Sequence, residues 1–253
     1  MNVIVLAAGT GSRLGDKTRD LPKPAVRVGG RALLDYTVSF ARRAGADKLG
    51  VVLGYRSDVS EPLAQELGVD TILLNPAFAD AGNLVSLGVA KAAGLCDGDF
   101  LLMNSDHIYN PSIADTVKAA AASARWVTAF IDHDRRLGPD DMKVRLDGDG
   151  RITSIDKQLD NWDAGYVGMT FVPAAATTAY FRHADNARLE KGNAIHVEQV
   201  LFRMAGVDAA LTVDISGPGW LEVDDESDWA RAEAALAKDN WYPNSSERAE
   251  GRE

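Results

Sequence analysis

Val3-Ile4-Val5-Leu6-Ala7-Ala8-Gly9-Thr10-Gly11-Ser12-Arg13-Leu14 is a short apolar run that empties into a glycine-rich loop, which continues through Gly15 and Thr18-Arg19 to Leu21-Pro22-Lys23-Pro24. The apolar part predicts a buried strand. A strand ending in such a loop leaves several main-chain N–H groups free to bind an anion. Gly9 and Gly11 carry no Cβ, so a phosphate can come close to the backbone. Arg13 and Lys23 add fixed positive charge at the same mouth. The stretch predicts the first strand of an α/β sheet with a nucleotide's phosphates beyond its carboxyl end. The alternative is a plain glycine-rich turn with incidental basic residues.

Two common phosphate motifs do not fit. A dinucleotide fingerprint needs a third glycine where Leu14 stands, and Gly15 comes one residue too late. A P-loop needs glycine directly before lysine, but Asp16 separates Gly15 from Lys17, and Thr10 stands where its first glycine belongs.

The rest of the chain sets bounds. Its 253 residues suffice for a substantial core, and 46% hydrophobic with 25% charged residues is ordinary globular composition. A net charge of −10 argues against nucleic acid or an anionic membrane as the main partner. Cys96 is the single cysteine, so no intrachain disulfide forms and a reducing cytoplasm is expected. No apolar run approaches the ~18 residues of a membrane span, and the N-terminal run is too short for a signal peptide.

Strand and helix patterns alternate through the first half. Strands are expected at Val3–Leu6, Leu49–Leu53, Thr71–Leu74 and Asp99–Met103, and helices at Ala32–Arg43, Glu61–Leu67 and Leu84–Ala93. Such alternation implies a parallel sheet covered on both faces. The second half is richer in strands: Trp126–Asp132, Lys143–Leu146, Ile152–Ile155 and Tyr166–Val172, with Asp147-Gly148-Asp149-Gly150 as a hairpin turn. Helices are expected at Ala174–Arg182, Val197–Met204 and Asp225–Ala237, with a strand at Ala210–Val213. No linker or internal repeat divides the chain. Residues 1–237 read as a single domain, with a nucleotide-binding half to about residue 110 and an acceptor-binding half beyond it. The polar tail 238–253 is expected to be partly disordered.

In a parallel sheet, ligands bind beyond the carboxyl ends of strands. Asn104-Ser105-Asp106-His107 sits at such an end, so Asp106 is the first candidate metal ligand, a turn cap being the alternative. His107 reads equally as structural or functional. In Trp220-Leu221-Glu222-Val223-Asp224-Asp225, alternation puts Glu222 and Asp224 on one side of a short strand, where a cation relieves their repulsion; Asp225 is placed to cap the last helix. Asn83, beside Gly82 at a helix start, offers the donor and acceptor that reading a base needs, or else simply caps the helix. Lys157 is a surface lysine or the cation for a second substrate's phosphate. Trp162, Tyr166 and Trp220 are candidates for a quaternary-ammonium cage or for core packing.

These motifs resemble the nucleotidyltransferases that activate sugars and phospho-alcohols, whose signature is L-A-A-G-x-G-x-R-L followed by P-K-P. Asn83-Leu84-Val85-Ser86-Leu87 and Trp220-Leu221-Glu222-Val223-Asp224 resemble the phosphocholine and phosphonate cytidylyltransferases. Met103–Tyr109, Asp141-Met142-Lys143-Val144 and Lys157-Gln158-Leu159 resemble the inositol-phosphate type. Hexose-phosphate enzymes carry W-x-D-x-G-T where this chain has Trp220-Leu221-Glu222-Val223-Asp224-Asp225, which points away from a hexose. Ile155 and Asp156 also stand where relatives often have a glycine before the lysine.

The resemblance implies a Rossmann-like three-layer α/β/α fold with a mixed, mainly parallel sheet, and a possible homodimer. It implies an Mg²⁺-dependent transfer of CMP from CTP (or another nucleotide triphosphate) to a small phosphate- or phosphonate-bearing acceptor, with release of pyrophosphate. The alternatives are a sugar-1-phosphate nucleotidyltransferase using dTTP, UTP or GTP and a silent nucleotide sensor. In the cytidylyl reading, Arg13 grips the β- and γ-phosphates, and Lys23 neutralises the α-phosphate. Leu6, Ala7, Ala8, Gly9, Thr10, Gly11, Ser12, Gly82, Asn83 and Ser105 hold the nucleotide. Lys157 meets the acceptor, and Asp106, Glu222 and Asp224 ligate the metal.

Overall fold

The computed structural model describes residues 1–238 and Trp241, so the rest of the expected tail lies outside the described residues. β1 (Asn2–Ala7) carries the apolar run. Two 3-10 segments, Ser12–Thr18 and Lys23–Ala25, lead from it to a small hairpin, β2 (Arg27–Val28) and β3 (Arg31–Ala32). α1 (Leu33–Arg43), β4 (Lys48–Leu53), α2 (Ser57–Glu66), β5 (Thr71–Leu74), α3 (Asn83–Ala92) and β6 (Phe100–Asn104) then alternate as the sequence predicts. There follow β7 (His107–Tyr109), α4 (Ile113–Ser123), β8 (Val127–Asp132), β9 (Lys143–Leu146), β10 (Ile152–Asp156) and β11 (Ala164–Val172). α5 (Thr177–Lys191), α6 (Glu198–Met204), β12 (Ala210–Asp214), β13 (Trp220–Glu222) and α7 (Glu226–Leu236) complete the described order.

β5, β4, β1 and β6 lie side by side and parallel. β11 then pairs antiparallel with β6, β8 and β9, which makes the sheet mixed. β1 has β4 on one side and β6 on the other, so the chain leaves it in one direction and returns to its opposite flank. A crevice opens at such a switch point, beyond the carboxyl ends of the two strands. The Gly9 loop follows β1 and Asp106 follows β6, so topology alone brings them together.

β1 shows why both faces are covered. Ile4 and Leu6 belong to one apolar layer, and Val3, Val5 and Ala7 to the other. A third, smaller cluster holds the loop: Leu14, Val26, Val28, Leu33, Tyr36, Ile108, Val223 and Ala232 pack together, with Leu14 fully buried. Residues of α7 and of the segment before it thus clamp the loop after β1.

Several elements differ from the sequence expectation: α5 runs on to Lys191, and β2, β3 and β7 are additional strands. α2 begins at Ser57 rather than Glu61, with Pro62 inside the helix. α4 was not expected at all, and the strand predicted to reach Asp224 ends at Glu222. Among the described residues no helix is long and apolar enough to cross a membrane.

Burial pushes the Cys96 thiol up to about 12, and the residue is 2% exposed. The expected result is negligible labelling by a disulfide reagent at pH 8 in the folded protein, and labelling of one thiol per chain in denaturant. Rapid labelling of the native protein would contradict this burial.

Candidate active site

A cleft of about 410 Å³ opens at the switch point. Leu6, Ala7, Ala8, Gly9, Thr10, Gly11, Ser12, Arg13, Lys23, Gly82, Asn83, Ser105, Asp106, Lys157, Glu222 and Asp224 all line it, so the structure brings these expected nucleotide, acceptor and metal residues to one place. A side chain at Gly9 meets nothing within 4 Å, which leaves its backbone open to the cleft. Gly11 has φ +66°, and a Cβ there falls 2.8 Å from Lys23 Cβ; only glycine lets the loop turn left-handed against the lysine stem. Thr18 Oγ1 donates to Gly11 O at 2.9 Å and ties the loop from below.

Lys23 is 7% exposed, and its Nζ donates to Asp106 Oδ2 at 2.7 Å and Asp224 Oδ1 at 2.8 Å. Burial opposes its charge, but the two carboxylates outweigh burial and raise its pKa. Burial likewise opposes the Asp106 carboxylate, yet Lys23 and His107 hold it far below the usual carboxylate range. Arg13 pairs with Asp224 and lies 4.0 Å from Asp140. The capping box of α7, in which Asp225 and Asp228 exchange side-chain and backbone hydrogen bonds, fixes the backbone beside Asp224, whose N–H donates to Asp228 at 3.0 Å.

His107 resolves as part of the site. Asp106 Oδ1 accepts from its Nδ1 at 2.7 Å, and its ring stacks between Tyr109 and Trp220, with centroids at 5.7 and 5.2 Å. Burial opposes the imidazolium, but the adjacent Asp106 charge prevails and raises its pKa. Trp220 donates from Nε1 to Asp132 at 2.7 Å, and the Arg135 guanidinium lies over its other side, 4.3 Å from the ring centroid. Arg135 also reaches Asp141 at 3.2 Å and Glu222 at 3.5 Å. Burial raises the Glu222 pKa against the opposing pull of His107 and Arg135.

Ligand atoms of Asp106, His107 and Glu222 lie within 4.8 Å of one another. His107 joins two of the expected trio in this tight group, whereas Asp224 turns to Lys23 and Arg13. The donor chemistry still fits a magnesium ion, because Asp106, Glu222 and Asp224 supply hard oxygens at one end of the cleft.

Two other expectations change. Asn83 stands inside α3 after Gly82, which is the N-cap, and its Oδ1 accepts from Val197 N–H at 2.8 Å, so its acceptor is engaged by the protein. A Cβ on Gly82 falls 1.9 Å from Ile195 O, and Gly82 N–H donates to Asn193 O at 2.8 Å. Gly82 and Asn83 therefore stitch the segment before α6 to the start of α3. Trp162, Tyr166 and Trp220 form no cage: Trp162 faces Lys143, and Trp220 is sandwiched by His107 and Arg135. Tyr166 alone lines the cleft, its hydroxyl bonded to Thr170 Oγ1 at 2.8 Å.

The cleft also holds residues that the sequence did not single out, among them Asn75, Asp140, His196 and Glu198. Asn75 donates to Ser86 Oγ at 3.0 Å. Lys143, buried behind the wall, donates from Nζ to Lys157 O at 2.5 Å and braces the turn that carries Lys157. No spacing in the sequence announces partners this remote.

Residues 2–153 match the Nucleotidyl transferase family. The chain belongs to the nucleotidyl transferase family. This nucleotidyl transferase is 30% identical over 252 residues to the CMP-5'-(3-aminopropyl)phosphonate synthase of Streptomyces rubellomurinus, covering 92% of this chain and 38% of that protein. It is 26% identical over 190 residues to the 2-aminoethylphosphonate cytidylyltransferase of Lancefieldella rimae, with 72% of each chain covered. The chain spans half or less of the length of the longer curated relatives it matches. The nucleotidyl transferase also shares the fold of the CTP:phosphocholine cytidylyltransferase from Streptococcus pneumoniae, with a TM-score of 0.77 at 20% identity over 93% of this chain and 98% of that one.

Proposed function

We propose that this nucleotidyl transferase moves CMP from CTP to a small phosphorylated alcohol or phosphonate and releases pyrophosphate. The observation that carries the reading is the placing of Lys23, held by Asp106 and Asp224 directly beneath the open glycine loop. The choice of cytidine is supported by the names of the relatives and not by any contact in the cleft.

An oxygen of the acceptor's phosphoryl group attacks the α-phosphorus of CTP; the bond from that phosphorus to the bridging oxygen breaks, and this oxygen leaves with pyrophosphate. The attacking oxygen is already anionic, so no general base is required. The difficulty is electrostatic, since unit charges 4 Å apart repel by ~4 kcal/mol at an effective dielectric of 20. Positioning and counter-charge answer it. Backbone N–H groups of Ala8–Ser12 bind the triphosphate, and Arg13 exchanges Asp224 for its β- and γ-oxygens, for which its planar fork is suited. Lys23 stays charged in its buried seat and meets the charge developing on the α-phosphoryl group. Lys157 draws in the acceptor's anionic end. Asp106, Glu222 and Asp224 would hold a magnesium ion, which would supply Lewis-acid neutralisation of the phosphates.

The test is pyrophosphate release with Mg²⁺, crossing CTP, UTP, dTTP, GTP and ATP against phosphocholine, inositol-1-phosphate, glycerol phosphate, 2-aminoethylphosphonate and glucose-1-phosphate. Release with CTP and a non-hexose acceptor is the expected result. Release confined to another nucleotide with glucose-1-phosphate makes the protein a sugar-phosphate enzyme instead, and silence throughout contradicts both.

A further inference from the structure

We infer that Asn104 and His107 form the subsite that seats the acceptor's phosphoryl group for attack, through Asn104 Nδ2 and His107 Nε2. The inference rests on the function proposed above and gives a role to two side chains that the mechanism leaves unused.

Both side chains line the cleft, and each has an open nitrogen. His107 is 3% exposed and held from three sides: Asp106 accepts from Nδ1 at 2.7 Å, while Trp220 and Tyr109 stack on the two faces of the ring. That leaves Nε2, which bonds no described residue. The Asn104 side chain, half-buried at the end of β6, also bonds no described residue. Polar groups buried without partners carry a cost that a ligand's oxygen offsets.

The two nitrogens face one vacancy. Gly168 has φ +73°, and a Cβ built on it falls 2.9 Å from His107 Nε2 and 3.2 Å from Asn104 Nδ2. Glycine keeps this space clear, and any side chain there would close it. An oxygen entering from the cleft meets both nitrogens. Asn104 offers an N–H, and the Asp106 carboxylate beside the ring favours the form that donates from Nε2 as well. Two donors converging on one space suit an anionic oxygen.

Sheet order says whose oxygen it is. β6 lies between β1 and β11, and Gly168 belongs to β11, beside the pairing of Met169 with Met103. The vacancy is therefore on the flank of β6 away from the glycine loop that takes the triphosphate. β9 and β10 lie beyond β11 on this flank, and Lys157 follows β10. Ligand atoms of Asp106, His107 and Glu222 lie within 4.8 Å of one another, so a phosphoryl group seated here remains beside the carboxylates. The group that enters past Lys157 and stops next to the α-phosphorus is the acceptor's phosphoryl end.

The experiment is Asn104→Ala, read by initial rates over separate series of CTP and of phosphocholine, inositol-1-phosphate, glycerol phosphate and 2-aminoethylphosphonate. These acceptors share only their phosphorus end. The expected result is a fall of about 10- to 100-fold in kcat/KM for every acceptor that the natural protein uses, the range for a charged hydrogen bond, while KM for CTP moves less than about threefold. The denaturation midpoint is expected to stay where it is, because the amide bonds nothing in the protein. His107→Asn keeps a donor for Asp106 but removes Nε2, and the same loss is expected from it. Calorimetric titration of methylphosphonate, which has no tail to recognise, into protein loaded with a non-hydrolysable CTP analogue reads the loss without turnover; binding weakens at least about tenfold in both variants. Full activity or unchanged methylphosphonate binding in N104A overturns the inference. So does a loss confined to one acceptor, which would mean that the subsite reads the tail, or a loss that falls on KM for CTP. Each of these leaves the proposed function intact. No CTP-dependent release by the natural protein with any acceptor removes both.

Discussion

Lys23→Met is expected to lower kcat by about 10²- to 10³-fold while CTP affinity falls less than tenfold. Methionine keeps the bulk of the stem against Gly11 but removes the charge that meets the reacting phosphoryl group. A contact made chiefly in the transition state costs turnover rather than ground-state binding. Initial rates over a CTP series separate the two, and an equal loss in both sinks the role assigned to Lys23. The substitution also leaves Asp106 and Asp224 facing each other without their shared cation. Removing one partner from such a partly buried group costs about 2–4 kcal/mol of stability, which denaturant unfolding measures. Mg²⁺ is expected to restore part of that loss in the variant, since the freed oxygens then serve a metal. A variant as stable as the parent would mean that Arg13 and His107 suffice as counter-charges for the two carboxylates.

The second large effect is expected from Asp106→Asn. It halves the carboxylate pair that seats Lys23 and replaces the acceptor that holds His107 Nδ1. The expected outcome is a fall in kcat of at least about 10²-fold and a rise of at least tenfold in the Mg²⁺ concentration needed for half-maximal binding. Calorimetric titration of Mg²⁺ into protein loaded with a non-hydrolysable CTP analogue reads the second quantity without catalysis. An unchanged midpoint would remove Asp106 from the ligand set and shift attention to Glu222 and Asp224.

Much of this arrangement was legible in the sequence because its signals are local. β1 is a continuous apolar run, the loop after it advertises its glycines, and Asp106 follows the apolar run of β6, the strand on β1's other side from β4. The capping role of Asp225 needed only its place before a helical stripe. What escaped has identifiable reasons. α4 is Ile-Ala-Asp-Thr-Val-Lys followed by an alanine run, and alanine is too indifferent to burial to draw a stripe. Pro62 is usually a first-turn residue, which pulled the expected start of α2 toward Glu61, although the helix begins at Ser57. Arg135 meets Glu222 and Lys143 meets Lys157 across stretches of chain that no periodicity encodes. His107 was ambiguous until its neighbours Trp220 and Tyr109 were seen to stack on it.

The small cluster that buries Leu14 joins the loop after β1 to residues about two hundred positions later. Its members include Val223 and Ala232, and β13 pairs with β7 beside it. A ribosome releases these segments in order, so the parallel strands from β1 to β6 emerge long before the residues that hold the loop after β1. The parallel strands can pair early, but the loop after β1 gains its apolar floor only when Val223 and Ala232 have been made. A nascent chain stopped before Trp220 has every glycine of the phosphate loop, yet it lacks both the apolar floor beneath Leu14 and the Asp224 carboxylate that seats Lys23. Burial of Leu14, and with it the seat of the glycine loop, is thus timed by the segment that runs from Val223 into α7.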